Sequence, residues 1–291
     1  SRLVLGTVQL GMNYGIANRT GRPSRVQADE ILLLAHSEGI RLLDTAQAYG
    51  HSEAVIGNFL HRHPQCDFAI ISKLDPSIDV ADGDAIMAAV QRSRQQIGQN
   101  LEAILIHDAA ALESWHGALG RALRQCVDEG WVGTLGVSIY APEELEAALN
   151  IEEIGLVQAP FNVFDRRIAD SGLLERALLM GKRMFLRSIY LQGLLLVDTC
   201  DLTSRMYFAG EALQSWRKIC ARHSLGPHLA AIKYVAAAAP RASLVVGCET
   251  VSQLASTVEA LRATALDSAC IDDIAALPRG GERLINPHLW S

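Results

Sequence analysis

Short apolar segments alternate with amphipathic segments along almost the whole chain, and this alternation constrains the fold more than any other feature. The segments typical of buried strands are residues 3–7, 40–44, 68–73, 102–107, 133–138, 154–158, 184–187 and 243–247. The segments with helical spacing of apolar residues are 26–38, 52–60, 85–98, 112–129, 142–149, 173–180, 211–223, 228–239, 251–261 and 271–277. Because strands joined by helices usually pair in parallel, this order predicts a parallel sheet.

Eight strands in a chain of 291 residues predict an α/β fold of the (β/α)8 TIM barrel type. An open doubly wound sheet is the alternative, but no G-x-G-x-x-G motif follows the first strand. The chain has no linker-like or low-complexity segment. We therefore expect one barrel domain over residues 1–291.

Three successive strands of the predicted barrel end in a polar residue. Asp44 ends the second strand, Lys73 the third and His107 the fourth. Tyr49 lies in the loop after the second strand, shortly before the helix that Ser52 can cap. Each residue alone is ordinary for a turn or a strand end, but the carboxyl ends of barrel strands meet at one rim, where catalytic residues collect. The sequence therefore predicts that these side chains lie close together.

In this order and context, Asp44, Tyr49, Lys73 and His107 resemble the catalytic tetrad of the aldo-keto reductase superfamily. The resemblance implies that Tyr49 donates a proton and that Lys73, paired with Asp44, tunes it. It also implies that His107 orients the substrate carbonyl. The chemistry of the residue types agrees, because a tyrosine has an ordinary pKa of about 10 and a nearby ammonium lowers that pKa by stabilising the phenolate.

The same resemblance implies a nicotinamide cofactor, NADP(H) or NAD(H), as the source of hydride. The family's N-terminal motif resembles residues 5–11, where Gly6 and Thr7 would approach the nicotinamide. Ser138 and Gln158 end the fifth and sixth strands and would contact the carboxamide. Ile139 follows Ser138 where the family often has Asn.

After the seventh strand, Arg187 occupies the place where many relatives have an aromatic residue on the nicotinamide. A guanidinium plane can stack on a ring, but it can also bind an anionic substrate or the cofactor pyrophosphate. The resemblance extends through residues 186–193 and adds three candidate cofactor residues, namely Ser188, Leu191 and Gly193.

The segment around the eighth strand resembles the adenosine-binding segment of the family, with Gly247, Glu249 and Gln253 as candidate cofactor residues. Many NADP-using relatives have Lys or Arg there, whereas this chain has Cys248 and Glu249. A carboxylate would repel a 2′-phosphate, although a cation such as Arg241 could fold into reach, as could Arg262. The preference between the two cofactors is open, and we expect dual use.

Composition excludes several classes of partner. The net charge of −6 disfavours nucleic acid, and no apolar run has the length of a membrane span. The six cysteines are scattered, without C-x-x-C pairs or zinc-like spacing to His, so we expect a reducing cytoplasm and no metal site. A monomer or a small homo-oligomer is expected.

The favoured function is an NAD(P)H-dependent oxidoreductase that acts on a small aldehyde, ketone or sugar carbonyl. The alternative is a barrel that binds the cofactor without turnover, as a redox-sensing or interaction subunit. A lyase or isomerase on the same barrel is a further alternative, because a fold does not fix a function. The substrate would be read by loops 75–84, 109–114 and 188–210, and residues 285–290 could fold over the mouth. Possible wall residues are Trp115, Trp131, Trp216 and Trp290.

Overall fold

The computed structural model describes residues 1–290, and within them eight parallel strands close into a barrel in chain order. The strands are β1 Leu3–Gly6, β2 Leu42–Asp44, β3 Ala69–Lys73, β4 Leu101–Ile106, β5 Val132–Ser138, β6 Ile154–Pro160, β7 Arg183–Arg187 and β8 Ser243–Gly247. The barrel closes where β1 pairs with β8, with Leu3 opposite Leu244 and Gly6 opposite Gly247. This closure confirms the predicted (β/α)8 fold.

Helices connect the strands and surround the barrel. The helices are α1 Val8–Gly11, α2 Arg25–Ser37, α3 Ser52–Arg62, α4 Gly83–Ile97, α5 Ala118–Asp128, α6 Pro142–Leu149, α7 Arg167–Asp170, α8 Leu173–Leu179, α9 Gly210–Arg222, α10 Pro227–Ala238, α11 Val251–Arg262, α12 Ser268–Ala275 and α13 Glu282–Ile285. Short 3-10 segments are Ala109–Ser114, Leu191–Leu196, Thr199–Asp201, Ser204–Ala209 and Pro287–Leu289.

Two apolar layers form the core. The inner layer fills the barrel with side chains that alternate along the strands, namely Val4, Ile71, Ala103, Leu105, Leu156, Phe185 and Val245. Their neighbours point outward and pack under the helices, as Leu3 and Leu5 do. Burying each large apolar side chain stabilises the fold by ~1.5–3 kcal/mol. The filled interior leaves the carboxyl rim as the place for a site.

Strand ends and most helix ends agree with the sequence to within a few residues. The Ser24 hydroxyl caps α2 by accepting from the Gln27 N–H, which confirms that prediction. The helix predicted over 112–129 was wrong at its start, because a 3-10 segment ends at Ser114 and the backbone of Gly117 is not helical. The cap predicted at Ser52 was also wrong, since His51 is the N-cap and the Ser52 hydroxyl is buried against the first strand's loop.

Among the described residues, no helix combines the length and the apolar character that a membrane crossing requires.

Candidate active site

A cavity of about 530 Å³ opens at the carboxyl ends of the strands. Most of the residues singled out in the sequence line this cavity, namely Gly6, Thr7, Asp44, Tyr49, His107, Ser138, Gln158, Arg187, Ser188, Gly193, Gly247, Glu249 and Gln253. Lys73 lies behind this lining, on Asp44. The structure thus brings the four tetrad candidates together, as the strand ends at Asp44, Lys73 and His107 and the loop position of Tyr49 predicted.

Asp44 and Lys73 form a buried ion pair. The Lys73 Nζ lies 2.8 Å from both carboxylate oxygens of Asp44 and donates at 2.8 Å to the Thr45 carbonyl. Only 1% of the Lys73 side chain and 5% of the Asp44 side chain are exposed. Burial opposes the positive charge of Lys73, but Asp44 and then Tyr49 more than offset it, so the pKa of Lys73 is raised. The lysine is a fixed cation.

Tyr49 sits beside this pair, on the loop between β2 and α3. The Lys73 Nζ lies 4.8 Å from the centre of the Tyr49 ring. The ring meets that of His107 edge to face, with centroids 5.9 Å apart. The backbone of Gly11 packs closely against this loop, since a Cβ at Gly11 would lie 1.8 Å from the Tyr49 carbonyl oxygen. The absence of a side chain at Gly11 therefore allows Tyr49 to reach its position.

His107 is a neutral imidazole at pH 7. Burial, then the charges of Lys73 and Arg187, lower the pKa of His107 to about 4. A neutral imidazole offers one N–H donor and one acceptor nitrogen. Its Nδ1 is buried and has no hydrogen-bond partner within residues 1–290. The ring can therefore hold an uncharged oxygen without adding a positive charge to the site.

Gln158 extends the pair toward the cavity. Its Nε2 donates at 2.7 Å to Oδ1 of Asp44, and its Oε1 is buried with no partner in the described part of the chain. Ser138 pairs with Gln158 in the barrel register. An acceptor without a partner, on the cavity wall, fits the N–H donors of a nicotinamide carboxamide.

A hydroxyl network joins the first two strand ends. The Thr7 hydroxyl donates at 2.9 Å to the Asp44 carbonyl. The Ser52 hydroxyl donates at 2.9 Å to the Thr7 carbonyl and accepts at 2.9 Å from the Thr45 hydroxyl. Ser52 therefore positions the loops beside Asp44 instead of capping α3.

The loop after β7 has an unusual backbone. Ser188, Leu191 and Gln192 have positive φ angles of 60°, 51° and 53°, which cost such residues of order 1–3 kcal/mol each. Gly193, at φ 91°, needs to be glycine because a Cβ would lie 2.6 Å from the Cβ of Ala17. The Ile16 N–H donates at 3.0 Å to the Gln192 carbonyl, so two loops meet over the cavity.

The structure does not bring the Leu191 side chain to the cavity, although the sequence made it a cofactor candidate. That side chain is fully buried in the outer core. The left-handed turn at Leu191 rotates it inward and leaves Gln192 and Gly193 in the cavity wall.

Arg187 faces the cavity with its guanidinium on the ring of Tyr140, 4.2 Å from the ring centre. It donates from Nη2 at 3.0 Å to the Ile139 carbonyl and from Nη1 at 3.2 Å to the Ser188 hydroxyl. The Tyr140 hydroxyl lies 2.5 Å from Nε2 of His288. The C-terminal segment thus reaches the mouth of the cavity, as the sequence suggested.

At the far end of the cavity, the start of α11 carries a capping box. The Thr250 hydroxyl accepts from the Gln253 N–H, and the Gln253 side chain accepts at 2.7 Å from the Glu249 N–H. Cys248 does not face the cavity, and burial raises the pKa of its thiol to about 12.

The two arginines that could have supplied a phosphate contact at this end pair elsewhere. Arg241 bonds Glu175 and Arg262 bonds Glu38, both with exposed side chains. Neither lines the cavity in the part of the chain described.

Several cavity residues were missed by sequence reasoning, namely Gln9, Tyr14, Tyr140, Tyr190, Gln192, His228, Ser252 and Ser256. Tyr140 had a usable signal, because it follows a strand end by two residues. Tyr190 and His228, stacked with ring centroids 5.0 Å apart, come from distant parts of the chain. Trp115 and Trp216 are fully buried core residues, not cavity walls.

Among residues 1–290, no cluster of three His, Cys, Asp or Glu side chains could hold a metal ion.

The chain is thus a (β/α)8 barrel that carries a buried carboxylate–lysine pair and a tyrosine at its carboxyl rim. Comparison with known families then identifies the chain. The model of the Aldo/keto reductase family matches residues 2–278, and the chain belongs to that family of nicotinamide-dependent oxidoreductases.

Individual relatives are distant. The chain is 22% identical over 304 residues to a protein named NADH-specific methylglyoxal reductase from Escherichia coli (strain K12), covering 92% of each. It is 24% identical over 183 residues to the aldo-keto reductase YhdN of Bacillus subtilis (strain 168), covering 60% of this chain and 54% of that protein. The second match therefore spans about half of YhdN.

Solved structures share the fold. An aldo-keto reductase from Bacillus halodurans in its holo form has a TM-score of 0.79 at 19% identity, covering 100% of this chain and 95% of that one. A glycerol dehydrogenase from Gluconobacter oxydans has a TM-score of 0.74 at 21% identity, covering 95% and 91%.

Proposed function

We propose that this enzyme reduces the carbonyl of a small aldehyde or ketone with NADH, or runs the reverse oxidation, and that Tyr49 transfers the proton. The observation that carries the proposal is the buried Asp44–Lys73 pair with its ammonium 4.8 Å from the Tyr49 ring centre. A buried charge pair is costly unless it is well hydrogen-bonded. A pair held beside a cavity tyrosine is the arrangement that acid–base chemistry requires.

The nicotinamide, when bound, supplies the hydride that the carbonyl carbon receives. The C=O π bond breaks as the Tyr49 hydroxyl gives its proton to the carbonyl oxygen, and Tyr49 recovers a proton from solvent. Lys73 stabilises the phenolate formed in between, because it is a fixed cation that Asp44 holds in place. His107, neutral at pH 7, donates an N–H to the same oxygen and orients the carbonyl.

Chain residues fit the cofactor at both ends of the cavity. The partnerless Oε1 of Gln158 would accept from the carboxamide, with Ser138 beside it. Gly6 and Thr7 line the wall of the same end, and Gly247 lines the wall toward the nucleotide. Ser188 and Gly193 would cover the cofactor from the loop after β7.

We propose NADH as the preferred cofactor, in place of the dual use expected from the sequence. Glu249 and Gln253 line the nucleotide end, and in the described chain no Lys or Arg lines that end. A 2′-phosphate would therefore meet a carboxylate and no cation. The name of the Escherichia coli relative, an NADH-specific reductase of methylglyoxal, points the same way.

Turnover with a reactive small aldehyde tests the proposal. Purified protein should consume NADH in proportion to the alcohol formed, and Tyr49→Phe should lower kcat by ~10² to 10⁴ while NADH still binds. Tyr207→Phe is the matched control, because Tyr207 is 69% exposed and lies outside the cavity lining. Full activity of Tyr49→Phe would show that another group supplies the proton.

A further inference from the structure

Arg187 is a cation in the cavity wall that lacks a carboxylate partner. Of the residues that line the cavity, it is the one Lys or Arg that the described chain contributes. Its hydrogen-bond acceptors are a carbonyl and a hydroxyl, and no carboxylate within residues 1–290 reaches salt-bridge distance. Since a half-buried charge without a counter-charge is costly, this arginine points to an anionic ligand.

The guanidinium is held in a fixed position. Tyr140 lies under its face, and His288 bonds the Tyr140 hydroxyl from the other side. Arg167 donates at 2.7 Å to the Tyr140 carbonyl and is itself paired with Asp165. The position of Arg187 is therefore set before any ligand arrives, which reduces the ordering cost of binding.

Hydrogen-bond donors remain available on the edge of the guanidinium. The group carries five N–H donors, and the Ile139 carbonyl and the Ser188 hydroxyl engage one each. Three N–H donors therefore remain, and the N–H groups of a guanidinium match the oxygens of a carboxylate or phosphate. Its face is already covered on one side by Tyr140.

The charge acts where the substrate carbonyl would lie. Burial and Lys73 contribute most to the low pKa of His107, and Arg187 is the next cause. Burial raises the pKa of Tyr14 to about 12, with Arg187 opposing that shift. The charge of Arg187 therefore reaches His107, the residue proposed to orient the substrate carbonyl, and Tyr14, which also lines the cavity.

We propose that the substrate carries an anionic oxygen group, a carboxylate or a phosphate, next to its carbonyl-bearing carbon chain, and that Arg187 binds this group. The inference rests on the proposed carbonyl reduction. Arg187 is then a specificity-determining residue, and Tyr140 and His288 are positioning residues that hold it.

Matched substrate pairs test this inference. One pair is 4-oxobutanoate and its methyl ester, and the other is glyceraldehyde 3-phosphate and glyceraldehyde. Wild type should favour the anionic member of at least one pair in kcat/KM by about 10- to 100-fold, the range of a charge-assisted contact. The pair with the larger ratio distinguishes carboxylate from phosphate.

Variants at position 187 assign the ratio to the guanidinium. Arg187→Met should reduce the anionic-to-neutral ratio toward one, and Arg187→Lys should restore part of it, because a lysine keeps the charge without the planar fork. Arg183→Met is the matched control, because Arg183 starts the same strand, pairs with Glu102 and does not line the cavity. It should keep the wild-type ratio.

Other outcomes overturn the inference. A wild-type ratio near one for both pairs would do so without any variant. So would an Arg187→Met protein that keeps the ratio but binds NADH more weakly by fluorescence titration, since Arg187 would then serve the cofactor. If wild type reduces the neutral aldehydes alone, the proposed function stands and the anionic substrate falls. If it reduces neither member of either pair, both fall.

Discussion

The two ends of the cavity are built differently. At the end that we propose binds the substrate, Asp44 and Lys73 come from adjacent strands and are almost fully buried. At the end that we propose binds the nucleotide, Glu249 and Gln253 lie on a loop and on the start of α11, and the Gln253 side chain is exposed. One end is set by the barrel's hydrogen-bond register, the other by a helix cap.

This difference shows where a single substitution can change function with little loss of stability. Buried charges depend on each other, so changing one leaves the other without compensation. The half-buried Glu249 carboxylate has no ion-pair partner among residues 1–290, so replacing it should change the free energy of unfolding little. We therefore expect substitutions at the substrate end to reduce stability and activity together, and a substitution of Glu249 at the nucleotide end to change cofactor preference with little change in stability.

The largest expected effect is that of Lys73→Met. It leaves the Asp44 carboxylate buried without its partner, which should lower the free energy of unfolding by ~3 to 5 kcal/mol, measured by urea denaturation, and reduce kcat. Lys182→Met is the control, because Lys182 is buried but bonds the carbonyls of Ile151 and Glu152. Lys182→Met should lower the free energy of unfolding by ~1 to 2 kcal/mol and leave kcat unchanged.

A double variant sharpens the same point. Asp44→Asn combined with Lys73→Met removes both charges and should recover part of the lost stability without recovering activity. If the double variant is less stable than Lys73→Met, the cost does not come from an uncompensated charge.

The second effect is a pH dependence at the substrate end. The folded pKa of His107 is about 4, below the ordinary value of about 6.5, so the unfolded chain binds more protons between these pH values. Stability should therefore fall as pH decreases from about 6.5 to 4, by ~3 kcal/mol from this residue. His107→Gln should remove that contribution in urea titrations at pH 7 and 4.5. If wild type and His107→Gln lose the same stability between pH 7 and pH 4.5, this prediction is wrong.

At the nucleotide end, Glu249→Arg should change the ratio of the NADPH and NADH dissociation constants. Replacing repulsion by one charge-assisted contact should favour NADPH by ~2 kcal/mol of binding free energy, which changes the ratio of dissociation constants ~30-fold. The free energy of unfolding should stay nearly unchanged. Glu259→Arg is the control, since it makes the same change of charge on exposed α11 surface outside the cavity lining. A wild type that already prefers NADPH strongly would refute the proposed phosphate position.

The smallest effect compares two helix caps. Thr250→Ala and Ser24→Ala each remove a capping hydroxyl and should each lower stability by ~1 kcal/mol. Thr250→Ala should also weaken NADH binding about threefold, or ~0.6 kcal/mol, because the cap orders Glu249 and Gln253. Ser24→Ala should leave binding unchanged. If both caps affect NADH equally, α11 does not position the nucleotide end specifically.

The barrel and the meeting of the tetrad could be predicted from sequence, because both follow from local periodicity. Asp44, Lys73 and His107 each end an apolar segment, and parallel closure brings all such ends to one rim. Errors arose where a side chain had a choice of partner. Ser52 is a residue type that often caps helices, yet its hydroxyl donates to the Thr7 carbonyl instead.

Alternation of apolar strand and helix, read along the chain, determined the eight-stranded barrel and the rim on which the chemistry lies, because burial of apolar side chains favours one register and one closure. Tertiary structure alone decided which polar groups beyond the tetrad met. In the folded chain the Gln158 amide donates to Asp44, and the Leu191 side chain is buried in the core. The Arg187 guanidinium packs on the Tyr140 ring without a carboxylate partner. These outcomes depend on competition among distant hydrogen-bond partners in a desolvated space, for which local sequence carries no signal.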